Sequence, residues 1–119
     1  MYSNELLNKL EGWGADIKTS LERFMEDEEL YLSFIKKFPE TSNVDKLTQL
    51  ILDKDYENAV LEAHTLKGVT GNLGLTPLYE GFTEIVNDMR AGDYIDIDKK
   101  YEAIKDNYKA VCVIISSYK

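Results

Sequence analysis

The segment Ala63-His64-Thr65-Leu66-Lys67-Gly68-Val69-Thr70-Gly71-Asn72-Leu73-Gly74 decides how this chain is read. At about 100° per residue, with His64 at zero, Ala59, Ala63, Leu66, Val69, Thr70 and Leu73 fall between roughly 140° and 260°. These six residues form an apolar stripe on one side of a helix, and His64 stands on the other. Lys67 lies near -60°, Gly71 near -20° and Gly68 near +40° on the same rough wheel. The one histidine of the chain is therefore expected to face solvent, flanked by a lysine and by two residues with no side chain.

The glycines need an explanation, because each costs about 1 kcal/mol relative to alanine inside a helix. Gly68 and Gly71 fit a surface on which a partner approaches His64 with no Cβ in the way. Close packing of a neighbouring helix, or a fraying helix end at Gly71 and Gly74, explains them equally well. Lys67, at i+3, can stabilise the charge of a transferring phosphoryl group. Taken alone it reads as an ordinary solvated lysine. Asn72 either orients a phosphate or serves as a polar residue at the helix end.

Outward from this segment the pattern is helical throughout. Asp55 caps the His64 helix, which is expected to run to about Gly74. Upstream, Leu6, Leu7 and Leu10 belong to a first helix ending near Gly12-Trp13-Gly14. Asp16 caps a short piece carrying Ile17, Leu21 and Phe24. Asp27 opens a helix with Leu30, Tyr31, Phe34, Ile35 and Phe38 on one face, which Pro39 closes or kinks. Asn43 caps a helix presenting Val44, Leu47, Leu50 and Ile51. Downstream, Thr76 and Pro77 read as an N-cap and first helical residue. Leu78, Phe82, Ile85 and Met89 then recur at helical spacing, and Gly92-Asp93 makes a turn. The last helix places Ile97, Tyr101, Ile104, Tyr108, Val111, Ile115 and Tyr118 on a long seam of a helical bundle. With two prolines and few alternating apolar-polar runs, the fold class is all-α, over one domain spanning residues 1–119.

Bulk properties narrow the function. The 119 residues suit one domain with a modest core, and 44% hydrophobic with 30% charged residues is an ordinary globular composition. Twenty-two acidic against 14 basic residues give a net charge of -8, which disfavours nucleic acid and anionic membranes as partners. Glu26 to Glu29 reads as a solvated charge run. Cys112 is the one cysteine, set among Val111, Val113, Ile114 and Ile115, and is expected to be a buried apolar thiol. An internal disulfide and zinc-ligand spacings are thereby excluded. A single histidine, with Leu61 three residues before it, also argues against a di-iron bundle. No signal peptide or bilayer-spanning run is visible, so the expected compartment is cytoplasmic.

His, any residue, Leu, Lys, Gly, then small residues ending in Asn-Leu-Gly resembles the signature of histidine phosphotransfer (HPt) domains. Leu21 to Phe24, Glu28-Glu29-Leu30-Tyr31, Phe38 and the Asp55-Tyr56 helix start also resemble that family. The resemblance implies an antiparallel four-helix bundle with extra short N-terminal helices. It implies phosphoryl exchange with the aspartate of response-regulator receiver domains, in a two-component phosphorelay fed by a hybrid sensor histidine kinase. By position, His64 is then the phosphorylated nucleophile, Lys67 holds the phosphoryl oxygens and Gly68 leaves room for the receiver. Some members use a Gln or Glu on the following helix to bind the other ring nitrogen. Here Val86 aligns with one such position, and Glu80 and Glu84 are its neighbours.

The expected chemistry is attack by neutral His64, through Nε2, on a receiver's aspartyl phosphate. No Walker-type loop or kinase signature is present, so the chain reads as a phosphocarrier rather than an autonomous kinase. No metal site or cofactor is expected on this chain, and Mg²⁺ is expected on the partner receiver. A monomer, free-standing from Met1, is expected. The competing class is a helical adaptor that binds receivers without phosphotransfer, although an adaptor has no use for the histidine.

Overall fold

The computed structural model describes residues 1–118, and they form seven α-helices with no strand. In order these are α1 (Glu5–Trp13), α2 (Ile17–Arg23), α3 (Glu28–Thr41), α4 (Asp45–Leu52), α5 (Tyr56–Asn72), α6 (Thr76–Arg90) and α7 (Ile97–Ser116). Four of them begin on an Asn or Asp side chain that accepts a backbone N–H of the first turn. Asn4 takes that of Leu6 at 2.9 Å, Asp16 that of Thr19 at 3.1 Å, Asp27 that of Leu30 at 3.0 Å and Asp55 that of Asn58 at 3.3 Å. Each such cap contributes about 1 kcal/mol by satisfying a donor the helix cannot.

Packing runs through the chain in sequence. α5 lies along α6, α6 along α7, and α4 against α5, while α1 and α3 cover α7. Leu6, Leu7 and Leu10 are wholly buried, as are Tyr31, Phe38, Leu47, Phe82, Ile85 and Val111. Tyr101 ties α7 to α4: its hydroxyl donates to the Val44 carbonyl at 3.1 Å and lies 2.7 Å from the Thr48 hydroxyl. Gly81 allows α7 to come close to α6, since a Cβ there would lie 2.7 Å from Cγ1 of Ile104.

Several local expectations differ from what is found. α3 continues through Pro39 to Thr41, and Leu30 and Phe34 lie exposed while Leu32 takes a place in the core. The buried stripe is set by where α7 and α5 lie, not by hydrophobicity alone. At the start of α6 the boundary residue is Leu75, with Thr76 the first helical residue. Gly74 takes φ +71°, which turns the chain one residue earlier and buries Leu75 completely. The Thr76 hydroxyl donates to the Gly74 carbonyl instead of capping the helix. Asn43 accepts from the Asp45 N–H at 3.2 Å, although Val44 is the boundary residue of α4. Cys112 is half-buried rather than fully buried, and burial pushes its thiol pKa up. Tyr118 lies past the end of α7 and is also half-buried. No helix is long and apolar enough to cross a membrane among the described residues.

Candidate functional site

α5 presents the two faces expected of it. Ala59, Ala63, Leu66, Thr70 and Leu73 are buried, Val69 is half-buried, and His64 is exposed. Thr70 is accommodated because its hydroxyl donates back to the Leu66 carbonyl at 2.8 Å. The C-terminal end of α5 is held from two sides. The buried Tyr31 hydroxyl donates to the Leu73 carbonyl at 2.7 Å, and the Arg23 guanidinium donates to the Asn72 carbonyl at 2.6 Å. These bonds satisfy carbonyls that the end of a helix leaves free. Burial pushes the Tyr31 pKa up to about 12, so the hydroxyl remains a donor across the neutral range.

Beside His64 lies an open groove of about 620 Å³ whose walls include Asp16, Arg23, Lys67, Gly68, Thr76 and Tyr79. Lys67 is half-buried within it. Asn72 is exposed and also lines the groove, well down the helix from the ring. Among the described residues no carboxylate pairs with Lys67, whereas Lys46, Lys100 and Lys105 each have an acidic partner. The groove is therefore lined by an exposed imidazole and by an ammonium with no acidic partner among the described residues.

The two glycines part company here. Around Gly68 an added Cβ would meet nothing within 4 Å, so the space above it is open to an approaching molecule. At Gly71 a Cβ would lie 2.8 Å from the Tyr79 ring. That glycine is accounted for by packing within the chain, since α6 lays Tyr79 across it. Gly71 also lines the groove, so its packing against Tyr79 stands beside the partner-access expectation and does not replace it.

Glu84 does not reach the ring. It is exposed and its carboxylate lies 3.3 Å from Nζ of Lys100, turned toward α7. Val86 is fully buried and has no polar atom to offer on its side chain. The group that does face the imidazole is Arg90, whose Nη2 is 3.5 Å from Nδ1 of His64. The hairpin register explains this. Gly71 faces Tyr79, and the Tyr56 and Tyr94 rings stack at 4.1 Å, which sets His64 level with Val86. Helical side chains lean toward their own N-terminus, so Arg90, one turn beyond Val86, reaches back to that level. The sequence did not single out Arg90, whose one local signal is a basic residue in the last turn of α6, because its approach to His64 needs the register of two helices.

No group of three or more His, Cys, Asp or Glu side chains capable of holding a metal occurs among the described residues. Comparison with protein-family models, curated proteins and solved structures gave no match.

Proposed function

We propose that the protein is a histidine phosphocarrier that exchanges a phosphoryl group with aspartates of response-regulator receiver domains through phosphohistidine at His64. The observation that carries this reading is an exposed imidazole beside an open groove, with Lys67 in its wall and open space above Gly68. The sequence from His64 to Gly74 that resembles HPt domains is the same stretch that builds this surface. The four-helix bundle implied by that resemblance fits the packing of α4, α5, α6 and α7, with the Tyr101–Thr48 contact closing α7 onto α4.

In the proposed transfer the Nε2 lone pair of the neutral ring forms a bond to phosphorus as the acyl P–O bond breaks. The electron pair of that bond leaves on the aspartate carboxylate, and the ring proton passes to water. Alignment of donor and acceptor accounts for most of the acceleration, and Lys67 offsets charge on the phosphoryl oxygens. The carrier needs no cofactor of its own in this scheme, since Mg²⁺ would sit in the acidic pocket of the receiver. A cytoplasmic monomer working between a hybrid sensor kinase and a receiver completes the proposal.

The test is to mix the chain with aspartyl-phosphorylated receivers and measure acid-labile phosphate on wild type and on His64→Gln. Label on wild type and none on the variant is the expected result. Receiver binding without label on a folded wild-type chain would establish a helical adaptor instead.

A further inference from the structure

We propose that Arg90 is a second cation for the phosphoryl group, held on the His64 ring at rest and drawn off it by the incoming phosphate. The inference rests on the carrier reading above and adds a residue that reading does not use. Arg90 Nη2 stands 3.5 Å from Nδ1 of His64, at the long end of hydrogen bonding. A guanidinium has N–H donors and no acceptor, so the contact is favourable when Nδ1 presents its lone pair. In the neutral ring the proton is then on Nε2, and that nitrogen has no lone pair with which to attack.

Attack through Nε2 therefore requires the proton on Nδ1 and the guanidinium elsewhere. The phosphoryl group supplies the reason for it to move. The bond to the ring pairs a cation with a neutral acceptor, whereas a phosphoryl oxygen is itself charged and the planar fork matches two such oxygens. Nothing anchors Arg90 against this shift: it is exposed, and no carboxylate pairs with it among the described residues. Arg90 on α6 touches the ring and Lys67 on α5 lines the groove that His64 also lines, so two helices each supply a cation. Transfer then proceeds with Nε2 bonding to phosphorus, the donor's leaving group taking the electron pair of the broken bond, and the ring proton released.

Phosphoramidate tests this without a cognate receiver, because its P–N bond breaks to give ammonia, which takes up the ring proton as ammonium. The full chain, His64→Gln, Arg90→Met and Arg90→Lys are incubated with sub-saturating phosphoramidate, and acid-labile phosphate is followed over time. Circular dichroism checks that each variant keeps the helical fold. Arg90→Met is expected to be about tenfold slower than wild type. Arg90→Lys, which keeps the charge but not the fork, is expected to regain most of the loss. Nitrogen-15 spectra of the unphosphorylated chain are expected to show less Nε2–H tautomer in Arg90→Met than in wild type. A folded Arg90→Met that is labelled as fast as wild type, or faster, overturns the inference and leaves the carrier reading standing. No label on wild type removes both.

Discussion

Two regions of the molecule use the same residue types to opposite ends. Along the exposed face of α5, Gly68 opens onto empty space and Lys67 has no acidic partner among the described residues. Along the α6–α7 contact, Gly81 is filled by Ile104, and Lys100 lies 2.6 Å from Asp88 and 3.3 Å from Glu84. The hydrogen bond to Asp88, aided by Glu84, raises the Lys100 pKa. A glycine and a lysine thus finish a helix contact in one place and leave one unfinished in the other. The unfinished region surrounds the one histidine, and in the proposed carrier a receiver would complete it.

Blocking the open space should break that contrast most strongly. Gly68→Gln is expected to slow transfer from a phosphorylated receiver by about a hundredfold, since a misplacement near 1 Å costs that much. Transfer from phosphoramidate to the same variant should remain within twofold of wild type, because a small donor does not need the cleared surface. Equal slowing with both donors would mean that Gly68 matters to the ring itself and not to docking.

The two lysines give the next test. Lys67→Ala should lower the phosphorylation rate about tenfold with an unchanged melting temperature. Lys100→Ala should do the reverse, with a small drop in melting temperature and an unaltered rate, as expected for a half-buried surface pair. If both variants lowered the rate alike, the contrast between open and closed regions would be lost.

The support beneath the open face can be probed by alkali. Tyr31 has a folded-state pKa of about 12 against 10.0 for the free group, so the unfolded chain loses this proton first as pH rises. Its contribution is present below pH 10 and declines between about pH 10 and 12, by an amount on the order of 2–3 kcal/mol. Denaturant melts at pH 9 and 11.5 should show this decline in wild type and a smaller one in Tyr31→Phe. At neutral pH the same variant should lose about 1–3 kcal/mol, because the Leu73 carbonyl loses its donor.

The smallest effects should separate the glycines. Gly68→Ala is expected to stabilise α5 by about 1 kcal/mol through helix propensity alone. Gly81→Ala should destabilise by about 1–3 kcal/mol, because Ile104 has to move. Gly71→Ala should fall between them and recover the gain of Gly68→Ala when Tyr79 is also shortened to Ala. Chemical denaturation of the four variants would order them.

The sequence by itself determined the helices, most of their ends and the outward position of His64. Those features depend on neighbours three or four residues apart: Asp16, Asp27 and Asp55 cap the turns that follow them, and the stripe from Ala59 to Leu73 repeats at helical spacing. Helix spacing also put Lys67 and Gly68 beside the ring without any knowledge of the fold. Contacts between helices were a different matter. Gly68 and Gly71 are alike on a helical wheel, and only the Tyr79 ring on α6 makes one a packing glycine and the other an opening. Glu84 neighbours Val86, the position at which some members of the resembled family carry the ring partner, yet its carboxylate lies 3.3 Å from Nζ of Lys100 on α7. Arg90 is 26 residues from His64, and only the register of the α5–α6 hairpin brings its guanidinium to the imidazole. Local order follows from hydrogen bonds and periodicity within one helix, whereas the register between helices is decided by how buried side chains of both fit together.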